Sequence, residues 1–211
     1  MTGIKICGID RAKVLEAAIA ARASHVGLVF FPPSPRFLSS ADAAALSLQA
    51  KGRVIRVGLF VDPDDAALTE GVATGLDAIQ LHGEESPARV AEVKARYGLE
   101  VWKVLPVATA DDIARSHAYH GAADFLLFDA KTPKGALPGG MGLRFDWSLL
   151  TAYRGPTAWG LAGGLNAGNV AQAIARTGAP LVDASSGIES APGVKDVTKI
   201  VAFCAAAHRG A

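Results

Sequence analysis

Two residues able to exchange protons each close an apolar run. Cys7 follows Ile4-Lys5-Ile6, and Asp129 follows Phe125-Leu126-Leu127-Phe128. A thiolate accepts protons and a carboxyl group donates them, so the pair suits general acid–base work. Each also has a plainer reading. A lone cysteine in an apolar strand is commonly a small buried hydrophobe, and Asp129 is placed to cap a helix or to pair with Lys131. A carboxylate ending so apolar a run must be paired, hydrated or functional. His82 ends another run, either as a ligand or as a core histidine fixed in one tautomer. The stiff segment Phe31-Pro32-Pro33-Ser34-Pro35 presents Arg36, toward a ligand or as a solvated charge. Lys5 lies one layer below Cys7, where an ion pair with Asp183 accounts for it better than a Schiff-base role.

Backbone donors form a second group. Ala162-Gly163-Gly164-Leu165-Asn166 and Ser185-Ser186-Gly187 leave several N–H groups uncovered by side chains. Glycines of this kind also serve tight turns, but two such loops in adjacent positions predict an anion site. Gly163, Gly164, Ser185, Ser186 and Gly187 are therefore expected to bind phosphate.

These groups need a frame that gathers strand ends. Short β-branched or apolar runs occur at 4–9, 25–30, 54–61, 77–82, 100–107, 123–129, 157–162 and 180–185. Ala-rich stretches with helical spacing separate them, at 11–23, 40–51, 64–74, 86–97, 110–120, 146–154, 167–177 and 196–208. Strict alternation predicts parallel strands joined by right-handed crossovers. Dividing 211 residues by eight leaves about 26 per unit, little more than a crossover needs. The expected fold is α/β, a single-domain (β/α)8 TIM barrel over residues 1–211. An open doubly wound sheet is the alternative, and no GxGxxG follows the first strand. Gly75, Gly98, Gly121, Gly155 and Gly178 are expected as left-handed caps, and Asp62-Pro63, Ser86-Pro87 and Asn166 as helix starts. Barrels of this kind place their chemistry at the C-terminal strand ends, where Cys7, His82 and Asp129 fall, and bind phosphate after strands 7 and 8.

Composition narrows the partners. Half the residues are hydrophobic and 19% are charged, enough for a large core and contrary to disorder. Lys+Arg 21 against Asp+Glu 20 leaves a net charge of +1, with no footprint for nucleic acid or a membrane surface. Cys7 and Cys204 make no disulfide framework and no zinc site by themselves. The first ten residues read as a strand, not a leader, and no apolar run approaches the ~18 residues of a spanning helix. A soluble, cytoplasmic protein is expected.

Taken in order, the motifs resemble a known family. They are Lys5-Ile6-Cys7-Gly8, Gly27-Leu28-Val29-Phe30, Ser34-Pro35-Arg36, Val57-Gly58-Leu59-Phe60-Val61 and Gln80-Leu81-His82-Gly83. Leu127-Phe128-Asp129, Phe145-Asp146-Trp147, Leu161-Ala162-Gly163-Gly164-Leu165 and Val182-Asp183-Ala184-Ser185-Ser186-Gly187-Ile188-Glu189 complete the set. The chain resembles, end to end, the phosphoribosylanthranilate isomerases, which perform an Amadori rearrangement in tryptophan biosynthesis. The resemblance implies Cys7 as base, Asp129 as acid and Arg36 on the anthranilate carboxylate; His82 and Asp183 are expected among the substrate contacts. It implies a small phosphosugar substrate, no metal or cofactor, and a monomer or homodimer. One departure stands out: Gly139-Gly140-Met141-Gly142 lacks the hydroxyl usual in that loop, so position 141 receives no polar role.

The roles set physical demands. A free thiol is a few per cent ionised at neutral pH, so a positive field or donor must favour its anion. A carboxyl acid must meet surroundings that favour its protonated form. Among the alternatives, the histidine-pathway aminoaldose isomerases are expected to use two aspartates, and indoleglycerol-phosphate synthase an N-terminal extension and a catalytic lysine. A non-catalytic phosphosugar-binding barrel would keep the anion loops without reason to keep Cys7 and Asp129 together.

Overall fold

Strands buried on both faces must be apolar at nearly every position, and the eight expected runs are. The computed structural model describes residues 2–133 and 139–210. Its strands are β1 (Gly3–Cys7), β2 (His25–Val29), β3 (Ile55–Phe60), β4 (Ala78–Leu81), β5 (Glu100–Val107), β6 (Phe125–Ala130), β7 (Ala158–Leu161) and β8 (Leu181–Ala184). They pair in sequence order, all parallel, and β8 closes onto β1 as a barrel. The connecting α-helices are α1 (Ala12–Ala20), α2 (Ser40–Ala50), α3 (Asp65–Val72), α4 (Pro87–Tyr97), α5 (Ala110–Ala114), α6 (Val170–Thr177) and α7 (Val197–Gly210). Among the described residues, no helix is long and apolar enough to cross a membrane.

Two-residue alternation divides the core. Ile4 and Ile6 of β1 face the helices with Val26, Leu28, Leu126, Phe128 and Val182. Residues of the other parity fill the barrel: Val57, Trp102, Val104, Phe125 and Leu127 pack there, with the Trp102 and Phe125 rings stacked at 4.3 Å. The register sets Lys5 level with Asp183, and Cys7 level with Gly27 one layer higher.

Several local expectations need correction. The stretch 110–120 divides into α5 and a 3-10 helix, Arg115–Tyr119. The stretch 146–154 forms only a 3-10 helix, Trp147–Ala152, because Gly155-Pro156 follows before α-helix can propagate. Gly155 is no left-handed cap: a methyl there would lie 2.5 Å from Tyr153 Oη and from His120 Nε2, so close packing requires the glycine. Helix α3 starts at Asp65, capped by Asp64, whose carboxylate accepts from Ala67 N–H, and not at Asp62-Pro63. Helix α6 is capped at Asn169 in place of Asn166, whose own N–H donates to Asn169 Oδ1 at 2.9 Å. Ser86 caps α4 with Pro87 in the first turn, as expected. The segment after β8 adds an unforeseen hairpin, β9 (Glu189–Ala191) and β10 (Val194–Lys195).

Candidate active site

Parallel closure brings the eight C-terminal strand ends into one ring, and residues beyond them line a mouth. Cys7, Arg36, His82, Asp129 and Asp183 all line it. So do Gly163, Gly164, Ser185, Ser186 and Gly187, so every residue expected at a site reaches the same cavity. Cys7 ends β1 against an apolar wall of Val29, Leu59, Phe31 and Val61. Asp129 lies near the end of β6, three strands around the ring by way of β8 and β7.

Asp129 holds one oxygen and presents the other. Its Oδ1 accepts from Ala130 N–H at 2.8 Å, and its Oδ2 stands 3.4 Å from His82 Nε2. Lys131 does not pair with it: that ammonium turns to Asp112, 3.4 Å away. The other nitrogen of His82, Nδ1, is buried without a partner among the described residues, as are Oδ1 of Asp183 and Oε1 of Gln80. Asp183, Gln80 and His82 all line the mouth, so each side chain borders the space a polyhydroxylated ligand would fill.

The charges around Cys7 act in opposite senses. Burial pushes its thiol above the ordinary range, with Lys5 and Lys195 pulling it back and Asp183 adding to the rise. Lys5 is wholly buried and donates to Asp183 Oδ2 at 3.0 Å, the core ion pair its position predicts. Burial likewise raises Asp183, against the pull of Lys5 and with the push of Asp129.

Arg36 differs from the sequence expectation in one respect. Its Nε and Nη2 already grip Glu189, at 2.7 Å to Oε1 and 2.8 Å to Oε2. Nη2 also donates to Gly140 O at 3.3 Å. One edge of the fork is thus spent on the protein, and a ligand meets the Nη1 end. Glu189 also accepts from Lys195 Nζ at 2.6 Å, and that ammonium donates to Ser185 O and Oγ at 3.0 and 3.1 Å. Burial alone would raise Glu189, but Arg36 and Lys195 hold it below the usual carboxylate range. Sequence reasoning gave Glu189 and Lys195 no role. The available signal was Pro192-Gly193, a turn that places Glu189 opposite Lys195 across a hairpin.

The loops after β7 and β8 approach closely. A methyl on Gly187 would lie 2.0 Å from Leu165 O, so only glycine fits there. The residues Ser186–Ile188 form a 3-10 turn. Among the described residues, the N–H groups of Gly163, Gly164, Ser186 and Gly187 find no acceptor, which leaves four donors around one corner of the mouth. Met141 is half-exposed at the rim of the mouth.

Four likenesses to known proteins bear on this arrangement. The family model described as N-(5'phosphoribosyl)anthranilate (PRA) isomerase matches residues 4–206. An N-(5'-phosphoribosyl)anthranilate isomerase of Rhodospirillum centenum is 54% identical over 210 residues, covering 97% of this chain and 98% of that protein. The crystal structure of the Thermotoga maritima phosphoribosyl anthranilate isomerase is similar at a TM-score of 0.89 and 35% identity, over 99% of this chain and 100% of that one. Another structure of such an isomerase, in complex with reduced 1-(o-carboxyphenylamino)-1-deoxyribulose 5-phosphate, is similar at a TM-score of 0.85. It is 32% identical over 99% of this chain and 100% of that one.

Proposed function

The chain belongs to the N-(5'-phosphoribosyl)anthranilate isomerase family and is an isomerase of tryptophan biosynthesis, and from that premise we propose how its residues divide the chemistry. The whole chain acts as one catalytic barrel. The substrate's phosphate sits on the donors of Gly163, Gly164, Ser185, Ser186 and Gly187. Its aromatic ring lies against Val29, Phe31, Leu59 and Val61, with the carboxylate at the free end of Arg36. Asp183 and His82, which both line the mouth, take sugar hydroxyls.

Asp129 then protonates the furanose ring oxygen through Oδ2, the oxygen not held by Ala130. The C1′–O bond breaks, and the lone pair of the anthranilate nitrogen forms a Schiff base. Cys7, as thiolate, removes the C2′ proton, giving an enolamine that tautomerises to the 1-amino-1-deoxyribulose product. Electrons move from the C2′–H bond into the imine, so the redox change is internal to the substrate. The observation that carries this division is the shared mouth: the thiol, the carboxyl and both anion loops face one cavity. Purified protein should extinguish the fluorescence of the anthranilate glycoside catalytically. Stoichiometric binding without turnover would favour the non-catalytic barrel.

Two further results are expected. Crystals grown with phosphate or sulfate should hold the anion at the donors after β7 and β8, within hydrogen-bond distance of Gly164 and Ser186 N–H. An anion seated elsewhere in the mouth would count against the substrate orientation.

Arg36→Met keeps the stem and deletes the charge, so KM should rise while kcat changes less, as for lost uniform binding. A charge-assisted contact of ~2–4 kcal/mol corresponds to roughly 30- to 900-fold. Glu189 keeps Lys195 as a partner, which limits the structural damage. Arg36→Lys should recover only part of the loss, since an ammonium cannot hold Glu189 by two N–H groups and still reach the ligand. Steady-state kinetics on both variants decide it; unchanged KM with depressed kcat would move Arg36 into the chemistry.

A further inference from the structure

We propose that Lys5 is the positioning residue for the base: anchored on Asp183, its ammonium directs a remaining N–H at Sγ of Cys7 and holds the thiolate that takes the C2′ proton. The inference depends on Cys7 being the base, and it rests on three features of the barrel floor.

The first is convergence. Lys5 and Cys7 share the inner face of β1, and both lie over Gly27 of β2. A methyl on Gly27 would fall 2.8 Å from Sγ and 3.2 Å from Lys5 Nζ, so the thiol and the ammonium meet above that glycine. The second is an incomplete hydrogen-bond set. An ammonium has three donors, and among the described residues the only oxygen that accepts from Lys5 is Asp183 Oδ2. A fully buried N–H needs an acceptor, and Sγ is the one the glycine gap admits.

The third comes from the other charges facing Cys7. Lys195, from β10, gives its three donors to Ser185 O, Ser185 Oγ and Glu189. Arg36, from the loop after β2, turns Nε and Nη2 to Glu189 and Gly140 and leaves Nη1 for the ligand. Asp183 on β8 opposes the thiolate, and Asp129 and His82 stand farther around the same mouth. Lys5 is therefore the cation with a donor to spare at Sγ. Burial raises the thiol, and Lys5 is the largest force against that rise.

Alkylation of Cys7 by iodoacetamide, followed by peptide mass across a pH series, reads the thiolate directly in the full chain. Lys5→Met should move the midpoint up by ~1–3 pH units, the range for loss of a close opposite charge. Its neutral-pH alkylation rate should fall ~10- to 1000-fold and recover as pH rises, and neutral-pH kcat/KM should fall with it. Asp183→Asn should move the midpoint down, because the ammonium then serves Sγ alone. An unmoved midpoint in folded Lys5→Met overturns the inference. If that variant does not fold, a midpoint in Asp183→Asn that stays or rises overturns it instead. A shifted midpoint beside a wild-type kcat/KM profile would support the Lys5–thiolate coupling and remove the base role from Cys7, so the two readings fail separately.

Discussion

Asp129→Asn is expected to lower kcat by ~10²–10⁴-fold, the usual cost of losing a positioned acid, with binding of a product analogue nearly unchanged. The substitution is isosteric, and the amide oxygen still accepts from Ala130 N–H. The neighbouring contact to His82 Nε2, at 3.4 Å, is too long to anchor the loop, so little stability should be lost with it. What disappears is the proton that Oδ2 delivers to the ring oxygen. Turnover by fluorescence and analogue affinity by titration separate the two quantities. Near wild-type kcat would make Asp129 structural and send the search for the acid elsewhere in the mouth, with His82 the first group to test.

Cys7→Ser should cost a similar ~10²–10⁴-fold in kcat, because a hydroxyl is a far poorer base than a thiolate at any accessible pH. Size is nearly conserved and Cys7 sits beside its apolar wall, so the fold should survive. The wild-type pH profile carries the sign. Burial holds the Cys7 proton to higher pH than an exposed thiol would, so the thiolate fraction is small at neutral pH and grows with pH. Over the range in which Asp129 keeps its proton, wild-type kcat/KM should climb up to tenfold per unit until the thiol has titrated, and the serine variant should lack that limb. Full activity in Cys7→Ser would return the residue to the role of a small buried hydrophobe.

Both of these residues were legible because β-strand geometry repeats every two residues. Once Cys7 is taken as a strand end, Lys5 must lie on the same face one layer down, and the pairing with Asp183 follows from the barrel register. Asp129 stood out as a charge ending an apolar strand, and the two glycine–serine loops as uncovered backbone. Contacts between distant segments were not legible. The Arg36–Glu189 grip joins residues 153 positions apart, and neither residue's neighbours announce the other. The β9–β10 hairpin has strands of three and two residues, too short for any periodicity to register. Where the packing of the 3-10 segment at Trp147–Ala152 overrode helical spacing, the composition of 146–154 gave no warning beyond Gly155-Pro156.

The division of labour itself is tested most directly by a deuterium isotope effect at C2′ of the ribosyl group, measured on kcat/KM for both variants. In Cys7→Ser, proton abstraction is the crippled step, so C2′ deuteration should produce a full primary effect. In Asp129→Asn, ring opening is crippled and precedes C2′–H cleavage, so the effect should fall to near unity. That opposite pair of results is what acid at Asp129 and base at Cys7 require. A primary effect confined to Asp129→Asn would exchange the roles, and equal effects in the two variants would contradict the assignment of separate steps to the two residues.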